Sequence, residues 1–108
     1  MLKKLACVIP CFNESKNLPY LCREIEQINE EFIDWFIINN GSYDINNKEF
    51  ENIVRENINL SNVKTFYIKK NTGYGNGIKE CILRIINNYE VICWTHADGQ
   101  TPLADVKK

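Results

Sequence analysis

No apolar run in this 108-residue sequence approaches the roughly 18–20 residues of a membrane span, so a transmembrane helix is not expected. Neither charge sign is in excess. With 13 Lys and Arg against 14 Asp and Glu, the net charge is -1. That balance excludes a basic surface built for nucleic acid. Proline and glycine are sparse, at three and five residues, and form no linker. No repeat is present, so the chain reads as one domain. Histidine occurs once, at His96, and the five cysteines (Cys7, Cys11, Cys22, Cys81, Cys93) show no paired spacing. Cys7 and Cys11 would share one face of a strand, whereas a zinc knuckle places its ligands around a tight turn. The cysteines are therefore expected to be buried or half-buried free thiols, which fits a reducing, cytoplasmic compartment.

What is present is the composition of a soluble globular protein, 44% hydrophobic and 25% charged. The start, Met1-Leu2-Lys3-Lys4 followed by Leu5 to Phe12, has the outline of a signal peptide. Its apolar stretch is too short and contains Pro10, so it reads as a first strand. Three more apolar runs follow: Trp35 to Ile38, Val63 to Ile68 and Val91 to Trp94. Continuous runs suit parallel strands buried on both faces. Between them lie stretches of helical period. Leu18, Leu21, Cys22, Ile25 and Ile28 make one stripe, with Ser15 or Asn17 as cap and Pro19 in the first turn. Phe50, Ile53, Val54 and Ile58 make a weaker second stripe. Ile78, Cys81, Ile82, Ile85 and Tyr89 make a third. The order βαβαβαβ predicts an α/β fold with a Rossmann-like parallel sheet and right-handed crossovers.

Such sheets bind ligands at the carboxyl ends of their strands. The polar segments fall there: Pro10 to Ser15, Asn39 to Asp44, Lys69 to Gly77 and Thr95 to Gln100. Gly73-x-Gly75-x-Gly77 is either a loop that turns close to the sheet or a backbone cradle for an anion, with Lys69 or Lys70 beside it. It is not the dinucleotide fingerprint, whose last interval is longer and which follows the first strand. His96 and Asp98 share a face of extended chain and can reach one metal ion, or Asp98 simply starts a turn before Gly99. Asn39-Asn40-Gly41-Ser42 reads as a turn, or as an amide offered to a nucleobase edge.

Taken together, these segments resemble the family 2 glycosyltransferases of the GT-A fold. Val8-Ile9-Pro10-Cys11-Phe12-Asn13-Glu14 is similar to that family's V-I-P-x-[YF]-N-E opening. Asn39-Asn40-Gly41-Ser42-Tyr43-Asp44 stands in the place of its D-D-G-S-x-D. Asn71 to Gly77 is similar to N-x-G-x-G-x-[AG], and His96-Ala97-Asp98-Gly99-Gln100 to D-A-D-x-Q. The motifs run in the family's order from residue 5 to about residue 102.

The resemblance implies a UDP- or GDP-sugar donor, Mn²⁺ or Mg²⁺ on its diphosphate, and inverting glycosyl transfer. By position, Pro10, Phe12, Asn13 and Glu14 would line the nucleoside, with Asn39 and Gly41 at the base. Lys70, Asn71 and Gly75 would lie along the nucleotide. Ala97 would touch the substrate, and Asp98 and His96 would hold the metal. Asn39 and Asn40 replace the family's two carboxylates, and His96 replaces the first Asp of its D-x-D.

The acceptor region and the carboxylate base of the family lie after the D-x-D, so no catalytic residue is assigned within residues 1–108. They are expected to form the donor-binding part of a truncated GT-A domain, inactive alone. In the full-length protein a peripheral membrane location stays open. The strand Val91 to Trp94 would then leave an open edge through which copies of the chain could pair. A non-catalytic nucleotide-binding module is the alternative. A sugar-nucleotidyltransferase fits less well, because its Gly-rich loop follows the first strand and residues 10–15 contain no glycine.

Overall fold

The computed structural model describes residues 3–28, 31–69 and 74–94. In chain order the elements are β1 (Lys3–Cys11), α1 (Leu18–Ile28), β2 (Ile33–Asn40), α2 (Asn47–Asn57), β3 (Val63–Ile68), α3 (Tyr74–Ile85), a 3₁₀ turn (Ile86–Asn88) and β4 (Tyr89–Trp94). All pairings are parallel and the strand order is β3-β2-β1-β4. The α/β, Rossmann-like architecture is the one the alternation of runs and stripes predicts.

The sheet has a core on each face. Cys7, Ile9 and Cys11 of β1 join Ile33, Trp35 and Ile37 of β2 under α1 and α2. Ala6, Val8, Phe36 and Ile38 face the opposite way, against Cys81 and Ile85 of α3. This division follows the period of two along a strand. Every residue of β2 is buried, which explains its unbroken apolar run.

Helix ends are set by local chemistry. Asn46 caps α2: its side-chain oxygen accepts from the Glu49 N–H at 2.9 Å, and its amide donates to the Glu49 carboxylate at 2.6 Å. This is a variant of the capping box, with Ile45 and Phe50 sharing the core as the hydrophobic staple. At α1 the capping differs from expectation. The Asn17 carbonyl accepts from the Leu21 N–H at 2.9 Å, while its side chain donates to Glu14 at 2.8 Å. Ser15 is drawn away to Asp44.

Tyr89 also departs from the sequence pattern, which placed it on the third helical stripe. The 3₁₀ turn Ile86–Asn88 ends the helical run, and Tyr89 opens β4. Its ring meets Phe36 edge to face at 5.9 Å, and its hydroxyl donates to Asp34 at 2.5 Å. Burial and the adjacent Asp34 raise the Tyr89 pKa, so the phenol stays a donor. Asp34 is itself buried and also meets Lys64 at 3.7 Å.

β1 to β3 progress in one direction along the sheet, and the chain then returns through α3 to place β4 on the far side of β1. The strand order therefore reverses between β1 and β4, where open α/β sheets form their binding crevice. Among the described residues, the β1 ladder with β4 ends at Val8↔Trp94, whereas the ladder with β2 continues through Pro10↔Ile38 to Cys11↔Asn39. Pro10 has no N–H to donate to a ladder. Among the described residues β4 has β1 as its single neighbour, and Val91 and Trp94 are each 56% exposed.

Candidate functional site

The rim at the carboxyl ends of β1 and β2 is built by two loops that hold each other. Asn13 takes a left-handed backbone, with φ of 53°, which asparagine tolerates better than most residues. This turns its side-chain oxygen towards the second loop, where it accepts from the N–H groups of Tyr43 at 2.9 Å and Asp44 at 3.2 Å. In return the Asn13 N–H donates to Ser42 Oγ at 3.1 Å. Ser42 Oγ donates to the Cys11 carbonyl at 3.4 Å. The Asp44 carboxylate accepts from the Ser15 hydroxyl at 2.6 Å and from its N–H at 3.2 Å. Gly41, with φ of 67°, supplies the left-handed turn that brings Ser42 back beneath Asn13.

A second chain of contacts supports this loop from below. Asn39 is fully buried, and its side-chain oxygen accepts from the Ser42 N–H at 3.2 Å. Its amide donates to Asn47 Oδ1 at 3.2 Å, and the Asn47 amide donates to Glu51 at 2.8 Å. The neutral amide at position 39 thus meets an acceptor in α2 and a donor in its own loop, a combination a carboxylate cannot offer. On the outside of the rim, Phe12 and the well-exposed Tyr43 form an edge-to-face pair with centroids 5.3 Å apart.

The expected site residues on the first two loops come together. Pro10 is buried near the end of β1, and Phe12, Asn13 and Glu14 follow it into the loop that faces Gly41 to Asp44. Gly75 lies in the first turn of α3, where helix N–H groups have no partner within the helix. Lys70, Asn71, His96, Ala97 and Asp98 lie outside the described residues. Among the described residues, no group of three or more His, Cys, Asp or Glu side chains is arranged to hold a metal ion.

Ser15, Ser42, Asp44 and Asn47 are not among the site residues the sequence motifs imply, yet they fix the rim. Asp44 was visible as the last residue of its motif. Its partner across the gap was not, because the contact joins loops distant in sequence. Two grooves lie away from this rim. One is lined by Val54, Ile58, Leu60 and Val63, the other by Arg23, Glu26, Glu56 and Asn57. Both sit where α1 and α2 end and β3 begins, at the amino ends of the strands.

The family model for glycosyl transferase family 2 matches residues 6–108. The chain belongs to this family. The match begins within β1 and runs through all the later described elements, so the tied loops after β1 and β2 lie inside the family domain. No curated protein sequence matches the chain significantly. Membership of glycosyl transferase family 2 makes the domain a glycosyltransferase domain by descent, on the parallel α/β sheet described above. No helix among the described residues is long and apolar enough to cross a membrane.

Proposed function

We propose that the rim formed by residues 10–15 and 39–44 binds the nucleotide of a nucleoside diphosphate sugar, UDP- or GDP-linked, as donor for inverting glycosyl transfer. The observation that carries this reading is the tying of the β1 and β2 loops to each other, on one side of the strand-order reversal, through Asn13, Ser42 and Asp44. A rim held by its own hydrogen bonds loses little conformational entropy when a ligand arrives. The exposed Phe12–Tyr43 pair offers aromatic surface for a base. Asn39 acts through the loop that it anchors, and so contributes to base selection as a positioning residue.

The diphosphate belongs beside the first turn of α3, near Gly75 and the preceding Lys70 and Asn71, where helix N–H groups favour an anion. Asp98, with His96, is the proposed holder of Mn²⁺ or Mg²⁺. Such an ion would neutralise charge on the departing diphosphate. A hard divalent ion gains more from the carboxylate than from a neutral imidazole. Asp98→Ala should therefore abolish metal-dependent binding and His96→Ala only weaken it. Ala97, between them in the sequence, is the proposed contact with the substrate.

Calorimetric titration with UDP, GDP and CDP in the presence of Mn²⁺ tests the reading. Saturable heat with UDP or GDP, reduced when the ion is chelated, is the expected result. Silence with all three at millimolar concentration would overturn it.

A further inference from the structure

Cys7 and Cys93 are far apart in sequence but are direct neighbours across the β1–β4 ladder. Adjacent strands lie about 4.8 Å apart, inside the Cα separation of about 4.4–6.8 Å that a disulfide spans. Both side chains belong to the face covered by α1 and α2, Cys7 within that core and Cys93 packed against it. The two differ in access: Cys7 is fully buried, while Cys93, on the edge strand, is half-buried. A hydrogen bond between the two thiols, assisted by burial, raises the Cys7 pKa; the same bond lowers that of Cys93. Cys11, Cys22 and Cys81 are buried, and burial raises the pKa of each.

We propose that Cys7 and Cys93 are a reversible disulfide site, closed by exchange with a low-molecular-weight disulfide and reopened by thiols. Cys93 is the entry point. Its thiolate attacks one sulfur of the small disulfide, forming a mixed disulfide and releasing one small thiolate, which takes up a proton. Cys7 then gives up its proton and attacks the Cys93 sulfur, expelling the second small thiol. One S–S bond is consumed, one is made, and two small thiols leave. Because β4 has one strand neighbour among the described residues, it can shift to meet disulfide geometry where a central strand cannot. The bridge would fasten β4 to β1 at a position that precedes His96 and Asp98 in the sequence. This proposal stands apart from the donor reading, since its readout is a covalent bond rather than ligand binding.

The test is peptide mapping by mass spectrometry, without reduction, after the folded chain is incubated with oxidised glutathione. A Cys7–Cys93 cross-link that dithiothreitol reverses is the expected product. Cys7→Ala should instead trap glutathione on Cys93, and Cys93→Ser should show neither bridge nor adduct at these positions. A lasting glutathione adduct on Cys93 with the native sequence would overturn the proposal. So would a bridge involving Cys11, Cys22 or Cys81, or full retention of free thiols under conditions that oxidise the unfolded chain.

Discussion

β2 and β4 are strands of the same parallel sheet with opposite circumstances. β2 has a neighbour on each side and a helical layer on each face, and all of its residues are buried. β4 pairs with β1 alone among the described residues, and Val91 and Trp94 remain exposed. The loop after β2 is tied to the loop after β1 by side-chain to backbone hydrogen bonds, so half of the rim is shaped by the chain itself. The difference teaches that pre-organisation here comes from the sheet centre, and that the edge is where chemistry or a partner can still change the structure.

Core truncation should separate the two strands most sharply. Ile37→Ala in β2 removes a fully buried side chain and should cost about 2–5 kcal/mol. Val91→Ala in β4 should change stability by about 0.5 kcal/mol or less. Denaturant unfolding of both variants measures this, and equal losses would break the comparison.

Alkaline titration comes next. Burial raises Cys22, on the inner face of α1, and Cys81, on the inner face of α3, from 9.0 to about 11. A thiol held neutral in the fold stabilises it fully below pH 9, and this stability is lost as pH rises from about 9 towards 11. Each thiol should account for about 2–3 kcal/mol of that loss. Unfolding midpoints measured across this range should therefore fall, less steeply in Cys22→Ala and Cys81→Ala.

Smaller effects are expected at the rim. Asn13→Gly keeps the left-handed backbone but removes the acceptor for two N–H groups, a loss of about 1 kcal/mol with a larger penalty on nucleotide binding. Ser15→Ala, at the exposed end of the same ties, should cost about 0.5 kcal/mol or less. Thermal unfolding and nucleotide titration of these two variants complete the series.

The architecture was legible in the sequence because buried parallel strands leave continuous apolar runs, and Val8 to Glu14 placed the first loop at a strand tip. Tyr89 was misread because it falls four residues after Ile85, in phase with the helix, while the turn at Ile86–Asn88 leaves no periodic mark. Asn46 and Glu49 carried a readable capping signal, with Ile45 and Phe50 flanking it. The ties of Asn13 to Tyr43 and Asp44, of Ser15 to Asp44 and of Asn39 to Asn47 left no such signal. Each depends on where a loop lands once the sheet has formed, and no local spacing encodes that.

The central claim is that a donor nucleotide sits on the rim at the carboxyl ends of β1 and β2. Its most direct test is a residue-resolved amide NMR titration of the protein with UDP and with GDP, each with Mg²⁺. The account predicts concentration-dependent shifts at Asn13, Ser42, Tyr43 and Asp44, with the amides of Arg55, Ile58 and Leu60 unmoved. Shifts confined to those α2–β3 residues, or none with either nucleotide, would contradict it.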